Sequence, residues 1–235
     1  MTLWLSRVRI ARGSDLDALR PLIDPGTLHG AAMDPRELGR RTDAHHRMIW
    51  TLFADTPDRR RDFLWRDEGA GGFTLLSHRP PAPSRVFEAP EAKPFAPVLA
   101  HGDRLAFALR VNATRDLAGD AKGRRVDVVM HAFRDVPPGA RAEVRMTAAQ
   151  QAATSWMVAQ GRRAGFTLDE VAVGDYSVAA LPGHVGRRKG QPQFGILDLT
   201  GVVTVTDPAT FLARLGQGFG RARGFGCGLM LIRRA

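Results

Sequence analysis

The chain has 235 residues, of which 44% are apolar, and carries 34 Lys and Arg against 24 Asp and Glu, a formal net charge of +10. This length suits two compact domains of about 100 to 120 residues, and the apolar share excludes a chain disordered throughout. The lone Cys227 excludes a disulfide framework or thiolate metal site; no apolar run reaches the roughly 18 to 20 residues of a membrane span.

Leu3 to Ile10 alternates from Leu5 onward, with Leu5, Arg7 and Arg9 on one face and Val8 and Ile10 on the other. This is the pattern of an opening strand. Arg7 and Arg9 also interrupt the apolar stretch, so it does not read as a signal peptide, and a cytoplasmic protein is expected. A short helix over 15–23, capped by Ser14, follows, then two breaks at Asp24-Pro25-Gly26 and Asp34-Pro35. Thr42 to Phe53 is expected to form an amphipathic helix capped by Thr42, with Ile49, Leu52 and Phe53 facing the core. Two strands, 62–66 and 72–78, are joined by a turn rich in glycine. The proline-studded connector from Arg79 to Pro97 excludes regular helix or an inner strand. Leu105 to Val111 alternates as a strand ending at Asn112.

The second half repeats the theme. A helix is expected over 147–163, capped by Thr147 and closed near Gly165. Strands are expected over 171–180 and 194–206, separated by a basic loop from Pro182 to Pro192. A helix capped by Asp207 with Pro208 at its first position then leads through a glycine-rich segment to a closing strand, 228–232. Each half suits a ferredoxin-like unit, a sheet with helices on one face, though the first half has a connector where a second helix would stand. The predicted class is α+β, two tandem ferredoxin-like domains, with boundaries 1–117 and 118–235.

The charge is unevenly made. Only Lys93, Lys122 and Lys189 are lysines; the other basic residues are arginines. Arginine forks fit phosphates and stack on bases. A GC-rich genome accounts for part of that bias, but not for the net positive charge, which attracts polyanions. Four groups of residues carry candidate chemistry. Cleavage of RNA without a metal requires an acid and a base around the 2′-hydroxyl and the leaving 5′-oxygen, and histidine suits either role. His45 and His46 point about 100° apart on a helix, so one reaches a phosphate while the other, four residues before Ile49, turns toward the core. The segment 216–228 holds six glycines with Arg221 and Arg223 and lets backbone N–H groups approach a phosphodiester, or is a plain flexible loop. Arg187, Arg188 and Lys189 form a basic tip able to clamp an RNA stem, or a solvated loop. Arg110, Lys122, Arg124 and Arg125 lie near the junction of the halves, where a single strand would track, or are ordinary surface charge. No HExxH, paired His/Cys spacing, G-x-S-x-G or P-loop is present.

Taken in order, 5–12, His46-x-x-Ile49-Trp50-x-Leu52-Phe53, 61–65, 109–114, 123–125 and 216–229 resemble the CasE family, the CRISPR RNA-processing endoribonucleases of type I-E systems in the RAMP group. The resemblance spans nearly the whole chain. It implies two ferredoxin-like domains and cleavage of precursor RNA at the 3′ base of a repeat hairpin, leaving 2′,3′-cyclic phosphate and 5′-hydroxyl ends. It further implies retention of the mature guide RNA among the other subunits of a surveillance complex, with neither metal nor cofactor. The catalytic histidine of the family falls on His46. A family tyrosine three residues earlier is replaced by Asp43, which can orient or charge-stabilise a histidine but cannot donate as a phenol does. His46 and Asp43 are therefore the expected catalytic residues. Arg110, Lys122, Arg124, Arg125, Arg187, Arg188, Lys189, Arg221 and Arg223 are the expected RNA contacts. A non-catalytic RNA-binding subunit of the same fold and a basic DNA-binding protein are the alternatives, the latter without helix-turn-helix or zinc-finger spacing.

Overall fold

The computed structural model describes residues 2–13, 34–56, 58–117, 125–181 and 192–235. The expected helix over 15–23, the basic tip at 187–189, and Lys122 and Arg124 lie outside the described residues. The chain forms two compact units. The first comprises 1–97, 178–193 and 223–226; the second comprises 98–177, 194–222 and 227–235. The change of unit thus falls at Pro97/Val98, while 118–124, beside the expected boundary, are not described.

The first unit is built on β1 (Leu3–Arg9), α1 (Pro35–Trp50), β2 (Phe63–Gly69), β3 (Gly72–Ser77) and β4 (Glu91–Phe95). Its sheet has the order β2-β3-β1-β4, with β1 antiparallel to both β3 and β4. That is the ferredoxin-like order, with the helix crossing from β1 to β2. β4 arises inside the proline-studded connector. It holds Pro94 and pairs only with β1, so it is an edge strand, the place where a strand tolerates proline. The β2–β3 turn puts Gly69, Ala70 and Gly71 at φ 81°, 48° and 71°, which explains its glycines. Register sets Val8 opposite Phe73 and Trp65 opposite Leu75. These side chains pack with Ile49, Leu52, Phe53, Phe63 and Phe87 into one core, where each large apolar side chain contributes about 1.5–3 kcal/mol of burial.

Helix α1 starts earlier than the periodicity suggests. Asp34 is its N-cap, accepting from the Arg36 N–H at 2.8 Å, and Pro35 occupies the first turn. Asp-Pro was read as a break; it is equally a helix start, because proline fixes φ where no N–H partner is needed. Thr42 is consequently a mid-helix residue, its hydroxyl donating back to the carbonyls of Leu38 and Gly39. Gly39 allows the helix to meet the Ala180 carbonyl, which a Cβ would overlap.

The second unit repeats the plan. β5 (Arg104–Val111) leads through the ribbon β6 (Thr114–Asp116) and β7 (Arg125–Asp127) to α2 (Val128–Ala132) and α3 (Arg141–Ala164). β8 (Phe166–Ala180), β9 (Gln193–Val205), α4 (Pro208–Gln217) and β10 (Met230–Arg234) complete it, with β8 and β9 each extending at one end into the first unit. The sheet order is β10-β5-β9-β8, again ferredoxin-like, here with helices α3 and α4 in the two crossover positions. Alternation along β5 buries Leu105, Phe107, Leu109 and Val111. Asp207 caps α4 through the Thr210 N–H at 3.1 Å, and Gly165 closes α3 in the left-handed region at φ 73°, both as expected. Helix α3 begins at Arg141 on a short 3₁₀ turn at Pro138–Ala140, so Thr147 lies inside it. Residues 141–146 carry no buried face, and the periodic signal began only where burial did. The fold is thus two ferredoxin-like units in tandem.

Candidate active site

His45 and His46 diverge as helical neighbours must. His45 is 3% exposed. Its ring meets Phe73 edge-on at 4.9 Å, and its Nδ1 lies 3.5 Å from Asp67 Oδ2, which also accepts from Arg41 Nη2 at 2.7 Å. Burial pushes Asp67 upward, but His45, the Gly69 N–H and Arg41 outweigh it and hold the carboxyl well below the usual carboxylate range. This network fixes the rotation of α1 on β2.

His46 is half-buried between Trp50 and Phe63, with ring centroids 6.2 and 6.1 Å away. It lies toward the C-terminal end of α1, not in an opening turn. The helix dipole there favours the cation, yet burial and then Arg61 lower the imidazole below its ordinary value; Asp43 raises it and Arg47 lowers it. Its Nε2 is buried without a hydrogen-bond partner among the described residues. Asp43 accepts instead from Arg47 Nε at 3.0 Å, so it acts on His46 through its field alone.

The remaining wall is Gly224, beside Arg223 in a 3₁₀ turn, Arg223–Phe225, that belongs to the first unit. A Cβ on Gly224 would stand 3.2 Å from Arg61 Nη1, 3.4 Å from His46 Cε1 and 3.7 Å from His46 Nδ1. An added Cβ would crowd the end of the Arg61 side chain and meet the His46 ring in ordinary contact, so glycine leaves this backbone the most room beside both groups. The turn is seated by Gly226, at φ 71°, whose Cβ would meet the Trp65 ring at 3.2 Å. Arg61 is half-buried and has no carboxylate partner among the described residues; burial and then Arg223 make its guanidinium easier to deprotonate than usual. The site therefore gathers His46, Arg61, Arg223 and the backbone of Gly224, with Asp43 at its margin. Arg61 opens the 61–65 segment, where the sequence gives it no mark of its own. Nothing in its spacing from His46 or Arg223 announces their meeting, which is made by packing.

Of the other expected RNA contacts, the described ones, Arg110, Arg125 and Arg221, belong to the second unit. Arg110 donates to Asp198 through Nε at 3.0 and 3.2 Å and Nη2 at 2.9 Å, a directly opposed cross-strand pair. Arg125 donates to Asp116 at 2.6 and 3.2 Å. Arg221 is exposed, its backbone bridged to Asn112. Among the described residues no three His, Cys, Asp or Glu side chains gather where they could hold a metal ion. No described helix is long and apolar enough to cross a membrane.

Comparison with known proteins agrees with this architecture. None of the curated proteins matches the chain in sequence. Among solved structures, the CRISPR endoribonuclease Cse3 bound to a 19-nt RNA is 22% identical, with a TM-score of 0.67 over 99% of this chain and 100% of that one. Cse3 of Thermus thermophilus, bound to an RNA representing a pre-cleavage complex, is also 22% identical, with a TM-score of 0.66 over 99% and 100%. Cas6e of Escherichia coli K-12 is 20% identical, with a TM-score of 0.60 over the same shares. At these identities the likeness shows a shared fold. The family model described as CRISPR associated protein matches residues 3–234, in keeping with the resemblance read from the sequence, and the chain belongs to that family.

Proposed function

We propose that the protein is a metal-independent endoribonuclease that cleaves CRISPR precursor RNA at the 3′ base of the repeat hairpin and keeps the mature guide RNA within a multisubunit surveillance complex. The observation that carries this reading is a half-buried imidazole whose Nε2 has no hydrogen-bond partner among the described residues, set against arginines on the first unit. Fold-mates support it: Cse3 structures contain RNA, and a chain of a CRISPR RNA-guided surveillance complex shares the fold at a TM-score of 0.58.

In this reading the 2′-hydroxyl upstream of the cut attacks the phosphate in line and leaves a 2′,3′-cyclic phosphate and a 5′-hydroxyl. His46 serves as general base or acid, worth about 10²–10⁴-fold, and Asp43 tunes it. Arg223 neighbours the reacting phosphate. Arg110, Arg125 and Arg221 contact strand or stem, as do Lys122, Arg124, Arg187, Arg188 and Lys189. The test is incubation with repeat-containing transcripts in EDTA, followed by end-group analysis. Cyclic-phosphate ends at one position beside the hairpin are expected. Binding without cutting would leave an RNA-holding subunit instead.

A further inference from the structure

We propose that Arg61 is a catalytic residue, donating to the non-bridging oxygens of the scissile phosphate beside His46. This rests on the endoribonuclease reading and deepens it. Three observations meet at this side chain. Its guanidinium is half-buried without a carboxylate partner among the described residues. An arginine withdrawn from water in that way has donors to spend on an incoming anion. Its Nη1 and the His46 ring approach the same point, 3.2 and 3.4 Å from where a Gly224 Cβ would be, so one phosphodiester can meet both. Arg223, close enough to weaken its hold on a proton, adds a second positive charge that an anion would relieve.

The chemistry balances without a further reactant. The 2′-hydroxyl proton passes to neutral His46 as the O2′–P bond forms. The P–O5′ bond breaks, the departing alkoxide takes a proton from water, and the imidazolium returns its proton to the hydroxide so formed. Between these events the two non-bridging oxygens carry extra negative charge. Preorganised donors aimed at that charge act on the transition state more than on bound RNA. After burial, Arg61 also shifts the imidazole toward the neutral form that such a base uses, with Arg47 and against Asp43.

The test uses the full chain carrying Arg61→Gln or Arg61→Lys, each checked for native thermal unfolding. Single-turnover cleavage is measured on a repeat-hairpin RNA that the unmodified chain cuts, and binding on the same RNA with a 2′-deoxy nucleotide at the cut. The His46 imidazole is titrated by NMR without RNA. Arg61→Gln should slow cleavage by about 100-fold, change affinity little, and move the His46 midpoint upward; Arg61→Lys should recover part of the rate. Unchanged cleavage, an affinity loss equal to the rate loss, or an unmoved midpoint would overturn the assignment. Cleavage that survives Arg61→Gln but not His46→Ala rejects Arg61 alone. Cleavage that survives His46→Ala removes the His46 site and this assignment with it, whereas failure of the unmodified chain to cut any repeat-hairpin RNA removes the nuclease reading itself.

Discussion

Two groups of arginines, one in the first unit and one in the second, are used in opposite ways. In the second, Arg110 faces Asp198 across the sheet and Arg125 faces Asp116 across a ribbon. Each positive charge is answered by a carboxylate on the neighbouring strand, and the pair helps hold register. In the first unit, Arg61 and Arg223 are brought near each other and near an imidazole, with no carboxylate beside Arg61 among the described residues. Folding gains nothing from placing like charges together in partial burial. On the proposed function, the sheltered and unanswered Arg61 marks the site, and the number of basic residues does not.

The sharpest way to break this comparison is His46→Ala. Single-turnover cleavage in EDTA should fall by about 10²–10⁴-fold while hairpin affinity stays near its starting value. Normal cleavage by that variant would leave the first unit with charge but no chemistry.

Next in size is Asp67→Asn, which tests whether the buried clamp under α1 is structural. At neutral pH it should cost about 2–3 kcal/mol in denaturant unfolding, since Arg41 loses its charged acceptor and His45 its neighbouring anion. The folded Asp67 carboxyl is more acidic than the unfolded one. Its stabilisation is therefore complete above the ordinary carboxylate value of 3.8 and fades as pH falls toward the folded one. The variant and the parent should converge in strong acid, and a gap that stayed constant with pH would show that charge is not the cause.

Gly224→Val comes third. Its branched side chain would press on Arg61 and on the His46 ring, and a small misplacement of reacting groups should slow cleavage by about tenfold or more. A stopped-time cleavage series with native unfolding behaviour checks this. Arg110→Gln should have the smallest effect. Loss of a partly exposed cross-strand pair costs about 0.5–1 kcal/mol of stability. Its effect on RNA belongs to binding, so the cleavage rate at saturating protein should stay near the parent's. A large fall in that rate would erase the distinction between the two units.

Much of this architecture was legible in the sequence because burial writes a period. β5 announces itself by alternation, α4 by Asp207-Pro208, and α3 by the Gly165 that ends it. The start of α1 was misplaced because Asp34-Pro35 carries two meanings, and the apolar face that would have decided between them begins only farther along. His46 is marked in the sequence by its motif and by its divergence from His45. Arg61 and Gly224 were not singled out, because their meeting with His46 depends on how β2 and a distant turn pack against α1. No spacing along one element encodes that.

The turn at 223–226 has one more consequence. It supplies a wall to a unit whose other candidate site residues lie more than 150 positions earlier. A ribosome producing this chain therefore finishes the helix and sheet of that unit long before the pocket exists. No truncated product ending before residue 226 can cut RNA on this plan, and a nascent chain stays harmless to transcripts around it until its distal turn has emerged and docked.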